Sequence, residues 1–188
     1  MNSMAQADAR WLRASWIGVL IASNAVMTAT YTCIAPFAAL SVAAAMTLPR
    51  RQALMTTAGV WLANQAVGFG LLSYPWVPNT FGWGAAIGVG AVVGTLAVQW
   101  LLRRLEGLRL YVQTLTAFSV AFAVYEAALY AAAVSVLGGT GAFAPGIIAQ
   151  VLIVNVAALV GLWALNQLLT AAWSGYRRRA ATSPARFA

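Results

Sequence analysis

The sequence predicts an all-α integral membrane protein, with six transmembrane helices in three hairpins and both termini cytoplasmic. Three observations carry that expectation. Of the 188 residues, 62% are hydrophobic and only 7% charged, whereas a soluble domain is about half apolar and about one quarter charged. The basic residues are all arginines and fall in four clusters: Arg10 and Arg13; Arg50 and Arg51; Arg103, Arg104 and Arg109; and Arg177, Arg178, Arg179 with Arg186. The apolar stretches between them, 14–49, 52–102 and 110–176, each hold a helical hairpin when one pass takes about 20 residues. Every cluster then returns to the same side, as the positive-inside rule requires.

The first hairpin runs over 14–48 and turns at Cys33-Ile34-Ala35-Pro36, where proline lacks an amide donor and disfavours helix in the residue before it. Its second helix, 37–48, is short for a full span and reads as tilted or partly sunk in the protein. The second hairpin places helices at 53–72 and 83–102, joined by Ser73 to Gly82. Two prolines, an asparagine and a glycine predict a structured loop there. The third hairpin has helices at 110–137 and 147–173, with the glycine-rich linker 138–146 between them. Residues 1–175 thus form a single six-helix domain, and 176–188 an arginine-rich cytoplasmic tail. Trp11, Trp16, Trp100 and Trp173 lie near the arginine side and Trp76 and Trp83 near the other, an aromatic belt at both interfaces. No Ala-x-Ala cleavage site with a soluble mature domain follows the first apolar run, so it reads as an uncleaved first helix. The expected location is the bacterial cytoplasmic (inner) membrane, crossed several times.

Composition also narrows function. The chain has no histidine, which removes the commonest general base and metal ligand. It has no lysine for Schiff-base chemistry or a Walker-type phosphate loop. One cysteine, Cys33, allows neither a disulfide nor a cysteine-rich metal cage. No cofactor of its own is expected, and the chain reads as not an enzyme. Nucleic acid is not an expected partner, because apolar spans separate the arginine clusters. There is no room for a nucleotide-binding domain, so any ATP-driven transport would draw its energy from another chain.

Polar residues inside the spans are the candidates for function. Glu126 is the one acid within a span, and a charge at that depth costs about 2.5–3.5 kcal/mol on insertion scales. Thr116, Ser119, Glu126 and Tyr130 follow helical spacing and form one stripe. The carboxyl either links helices as a neutral acid or lines a cavity. Asn24, Thr28 and Tyr31 align on the first helix, Asn64, Gln65 and Gly68 cluster on the third, and Asn155 and Asn166 share a face of the sixth. Each fits interhelical hydrogen bonding, while together they suggest a polar cavity opening toward the arginine-free side. Rows of small residues, Gly18, Ala22, Ala25, Ala29 and then Ala35, Ala39, Ala43, suit either close internal packing or docking of a partner membrane protein. Cys33 reads as a small apolar residue or as a soft-metal contact at the cavity mouth.

Six short helices in under two hundred residues, no energising motif and alanine rows in the first hairpin resemble the S-components of energy-coupling-factor (ECF) vitamin transporters. Asn64-Gln65-Ala66-Val67-Gly68-Phe69, Tyr74-Pro75 and Asn79-Thr80-Phe81-Gly82-Trp83-Gly84 are most similar to the BtuM group of cobalamin transporters. The resemblance implies a membrane subunit that binds a vitamin, with cobalamin or a related corrinoid as the transported ligand, and docks on a transmembrane coupling subunit with ATPases. That group is associated with a cobalt-ligating cysteine and with histidines near the ligand. Here histidine is absent and Cys33 lies outside the Tyr-Pro loop; if the family's thiol belongs in that loop, Thr80 or a neighbour replaces it in this sequence. On this reading Tyr74, Trp76, Asn79, Thr80 and Trp83 form a lid loop. Tyr31, Asn64, Gln65, Glu126 and Tyr130 line the pocket, and Ala35, Ala39 and Ala43 face the partner. The alternative is a non-transport accessory or assembly subunit of a larger membrane complex.

Overall fold

Prolines set most of the helix boundaries. In the computed structural model, residues 2–31 and 35–182 are described, with side chains over 10–30 and 35–176. The helices are α1 (Asn2–Tyr31), α2 (Phe37–Thr47), α3 (Arg50–Gly70), α4 (Pro78–Arg104), α5 (Leu110–Ala132) and α6 (Pro145–Thr182). Pro36 and Pro49 immediately precede α2 and α3. Pro78 and Pro145 begin α4 and α6, because a fixed φ and a missing N–H cost nothing in a first helical turn. This is why the expected loop over 73–82 is shorter than its composition suggests. It ends at Val77, and Asn79, Thr80, Phe81, Gly82 and Trp83 belong to the opening turns of α4. At the other end α6 continues through Arg177–Arg179 to Thr182 rather than stopping at Trp173, since arginine and alanine are good helix formers.

No strand occurs among the described residues. Among the described residues, four helical segments are long and apolar enough to cross a membrane: Arg10–Thr30, Pro78–Arg104, Leu110–Leu137 and Pro145–Tyr176. The third includes a π-helical turn, Ala133–Leu137, that extends α5 until Gly138 and Gly139 take positive φ and release the chain. The remaining helices differ from these four. α3 has 21 residues and opens on two arginines. α2 has 11 residues, about 16 Å at the rise of an α-helix, roughly half the hydrocarbon thickness.

α2 is the centre of the molecule. It packs against α1, α3, α4, α5 and α6, and Phe37 to Ala44 are buried without interruption. A helix apolar on every side has no surface stripe and belongs inside a bundle. Its neighbours grip it through polar groups as well as apolar ones. The Ala39 amide donates to Asn155 Oδ1 of α6 at 3.2 Å. Ser41 Oγ donates to the Ala91 carbonyl of α4 at 3.2 Å. Trp16 Nε1 of α1 donates to Thr47 Oγ1 at 2.8 Å. The Phe37 ring stacks on Tyr125 of α5 with centroids 5.8 Å apart.

Around this helix α1 and α3 run parallel, with Asn24 beside Val60 and Thr28 beside Asn64. α4 runs antiparallel to α3, since Thr57 pairs with Thr95 while Trp61 meets Gly84. The starts of α1, α3 and α5 therefore lie at one end with the finish of α4, and the first three arginine clusters gather there. The alanine row expected to face a partner is covered by the chain's own helices. Ala39 is fully buried, Ala43 nearly so, and Ala35 is packed against the main apolar cluster.

Enlarging the hub should therefore cost stability. Ala39→Leu adds three carbons where no space exists, and overpacking of this kind costs about 1–3 kcal/mol. A lowered melting temperature in detergent is expected by circular dichroism. A melting temperature equal to the parent's would mean that Ala39 does not sit inside the bundle.

Candidate functional site

At the level of α1 and α3, the amides read from the sequence form one connected cluster. Asn24 Nδ2 donates to the Val60 carbonyl at 3.1 Å, and Thr28 Oγ1 donates to the Asn24 carbonyl at 2.8 Å. Asn64 Nδ2 donates to Thr28 Oγ1 at 2.9 Å, and Gln65 Nε2 to Asn64 Oδ1 at 3.1 Å. Asn24, Thr28 and Asn64 are buried. Where water is scarce such groups must find partners within the protein, and these do so across the α1–α3 seam. One acceptor is left over, because Asn24 Oδ1 is buried with no donor. An unmet buried acceptor costs about 1–3 kcal/mol, which a water or a ligand donor would recover.

Two glycines bring α4 close enough to close the cluster. A Cβ on Gly84 would lie 2.5 Å from Gln65 Oε1, and one on Gly88 would lie 2.8 Å from the Trp61 ring. Trp61 Nε1 donates to the Gly84 carbonyl at 2.8 Å. The polar patch on α3 is thus roofed by bare α4 backbone.

One turn further along α3 lies an aromatic group. The chain leaves α3 through Ser73, which takes a positive φ of 54°, and folds back so that the Tyr74 amide donates to the Gly68 carbonyl at 3.1 Å. The Tyr74 ring lies over Gly68, whose absent Cβ would stand 2.6 Å from it. Phe69 meets Tyr74, Trp76 and Phe81 at centroid distances of 6.2, 5.3 and 4.9 Å. Trp76 is nevertheless 75% exposed and Phe81 47%. The cluster is ordered on its inner side and open on its outer one.

The next patch at this end is built from α4, α5 and the 137–143 segment that follows α5. Asn79 Nδ2 donates to the Leu137 carbonyl at 2.9 Å. Trp83 lies beside Gly139, and Tyr130 meets Phe143 edge-on at 5.2 Å. Among the expected site residues, then, Tyr74 and Trp76 come together, Asn64 and Gln65 come together, and Asn79, Trp83 and Tyr130 converge on the 137–143 segment. Thr80 sits part-buried in the first turn of α4. Tyr31 has its backbone in α1, but its side chain lies outside the described residues, as does Cys33 altogether.

The Glu126 stripe turns away from the core. α5 buries Ala117, Phe118, Ala121 and Tyr125, whereas Ser119 and Tyr130 are exposed and Glu126 is part-buried. Thr116 and Ser119 spend their hydroxyls on carbonyls of their own helix. Asn155 is likewise committed, to the Ala39 amide and the Val151 carbonyl. The polar residues therefore divide between the α1–α3 seam, the α2–α6 contact and the outer side of α5.

Phe69 and Phe81 stand in the sequence runs that carry the resemblance but not among the expected site residues, although they complete the aromatic cluster. Thr57 and Thr95, whose hydroxyls pair at 2.9 Å between α3 and α4, are not among the polar residues read from the sequence. The aromatic spacing around the Tyr-Pro segment was a usable signal. The threonine pair had none, because a lone threonine in an apolar span usually bonds its own helix.

The cluster holds no acid–base pair, and no group of three or more metal-ligating side chains occurs among the described residues. What the geometry offers is recognition by amide hydrogen bonds and flat aromatic surface. The class defined by fold and site is an all-helical protein with long apolar helices, embedded in a membrane. Compared with known proteins, the chain matches no family model, no curated protein and no solved structure.

Close approach at Gly68 should be testable locally. Gly68→Ala is expected to push the Tyr74 ring aside and to speed amide hydrogen exchange over residues 71–77. Tyr74→Ala, which removes the ring, should speed exchange over the same residues, and adding Gly68→Ala to it should change exchange little further, because no ring is left to displace. Unaltered exchange in Gly68→Ala would mean the ring is not held on α3.

Proposed function

We propose that the protein is the substrate-binding membrane subunit of a micronutrient importer, with cobalamin or a related corrinoid as its ligand. The observation that carries this reading is an ordered yet exposed aromatic cluster, Phe69, Tyr74, Trp76 and Phe81, one turn above the Asn64–Gln65 amides. A corrinoid presents a flat apolar macrocycle ringed by carboxamides. Aromatic faces suit the first and side-chain amides the second. The sequence resemblance to the S-components of energy-coupling-factor transporters supports the same assignment. In that scheme the chain docks on a transmembrane coupling subunit whose ATPases supply the energy.

The proposed topology places both termini and the arginine clusters in the cytoplasm of a bacterium, with the aromatic end facing outward across the inner membrane. Six helices alternate in direction, and α2 fills only part of the thickness. The alternating helix directions and the gathering of Arg50, Arg103, Arg104 and Arg109 at one end support this orientation.

Binding is tested on purified protein with cyanocobalamin as the probe, alongside mass spectrometry and absorbance of whatever co-purifies. Saturable binding is expected, and Trp76→Ala should weaken it about tenfold by removing an exposed aromatic face. A parent protein that neither binds cyanocobalamin nor carries a co-purified corrinoid would remove the ligand assignment. Orientation is tested in a Cys33→Ala background. Asn79→Cys and Gly141→Cys should react with an impermeant thiol reagent in intact spheroplasts, and Arg104→Cys should not. Labelling at position 104 alone would invert the topology.

A further inference from the structure

The end of the molecule opposite the aromatic cluster holds a pocket that the proposed function does not use. α2 stops at Thr47 and the chain turns at Leu48-Pro49, so nothing fills the bundle axis between the start of α3, the end of α4 and the start of α5. The resulting cavity has a volume of about 410 Å³. Its apolar lining includes Met46, Leu102 and Leu110. Arg50 and Arg103 stand at its rim. Both are exposed, and among the described residues neither guanidinium has an ion-pair or hydrogen-bond partner. Glu106 also lines the pocket, without forming an ion pair with either arginine.

The pocket is built rather than incidental. Gln113 Nε2 donates to the carbonyls of Leu105 and Leu108 at 3.1 and 3.0 Å, fixing the turn that carries Glu106. Gln99 Nε2 donates to the Arg50 carbonyl at 3.5 Å, tying α4 to the head of α3. The same side chain leaves Oε1 buried and without a donor. The pocket therefore presents two free cations, one buried unmet acceptor, a carboxylate and an apolar lining, at the end where the arginines gather.

We propose that this pocket binds a glycerophospholipid of the surrounding bilayer whose phosphate carries a donor-bearing headgroup, such as glycerol or ethanolamine. The phosphate diester lies between Arg50 and Arg103, which offer forked N–H donors to its oxygens. The headgroup hydroxyl or ammonium donates to Gln99 Oε1 or to Glu106, and an acyl chain covers Met46, Leu102 and Leu110. Basic pockets between helices at the cytoplasmic face are suited to lipid headgroups in this way. Glu106 works against a multiply charged phosphate and favours a diester whose headgroup can donate.

The test titrates detergent-purified protein with three probes: dihexanoyl-phosphatidylglycerol, dihexanoyl-phosphatidylcholine and inorganic phosphate. Melting temperature and bound mass by native mass spectrometry are read together. The glycerol lipid is expected to bind and to raise the melting temperature. The choline lipid, which has no headgroup donor, should bind at least about fivefold more weakly, and inorganic phosphate should not reproduce the shift. Arg50→Gln with Arg103→Gln should weaken the glycerol lipid roughly ten- to thirtyfold, as for two cations near a lipid surface. Arg51→Gln with Arg109→Gln, an equal loss of charge at the same end outside the pocket, should change it less than threefold. Gln99→Leu should abolish the preference for glycerol over choline. Because the Arg50 and Arg103 side chains make no hydrogen bond or ion pair among the described residues, and the backbone carbonyl of Arg50 is kept in the variant, both variants should melt like the parent without lipid. Equal binding of the two lipids by the parent, an equal shift with inorganic phosphate, or equal weakening by both double variants would each overturn the assignment.

Discussion

Everything in this bundle is arranged around one short helix that has no outside. α2 is surrounded by five neighbours, and only small side chains allow so many backbones to approach one axis. Ala38, Ala39, Ala43 and Ala44 supply that room, while Phe37 and Leu40 fill what remains. Burial on all sides also removes every route to water. The free amide of Ala39, near the start of α2, must therefore be met by Asn155, and the Ser41 hydroxyl by an α4 carbonyl. Small residues and polar hooks are two consequences of the same constraint.

The length of α2 decides what happens at the two ends. A helix about 16 Å long leaves the bundle axis unfilled beyond it. At the arginine end the gap persists as a pocket between α3, α4 and α5. At the opposite end, close glycine contacts draw α4 onto α3, and aromatic side chains pack over them. The two ends thus differ in chemistry, one cationic and open, the other aromatic and amide-rich. A membrane protein that discriminates inside from outside needs such an asymmetry, and here it follows from where one helix stops.

Polar side chains in the apolar region sort by whether they found a partner on another helix. Asn64, Thr28, Thr57, Thr95 and Asn155 did so and stitch the bundle together. Asn24 Oδ1, Gln52 Oε1, Thr56 Oγ1 and Gln99 Oε1 are buried without one. An oxygen of the first kind contributes stability already in hand. One of the second kind awaits a donor from water or ligand, and that distinction, rather than polarity itself, separates structural glue from a recognition group.

The sequence by itself determined the helical class, the apolar spans, the gathering of arginines and the Tyr-Pro aromatic segment. Each of these depends on composition or local periodicity, which survive without knowledge of neighbours. It also indicated that Asn64 and Gln65 belong together, because adjacent residues on a helix cannot be separated by folding. Only the tertiary structure decided which way each element faces. The α2 row carries no periodic stripe, so nothing local distinguished an internal seam from a docking surface. The Glu126 stripe is periodic, but a stripe fixes only that its members share a side. Whether that side meets the core depends on where α4 packs, and Ala117, Ala121 and Tyr125 claimed the contact instead. Pro78 could end a loop or begin a helix by its own chemistry, and the packing of α4 against α3 chose the second. In a chain this apolar, hydrophobic periodicity loses its power to orient helices, because lipid and protein interior ask for the same side chains.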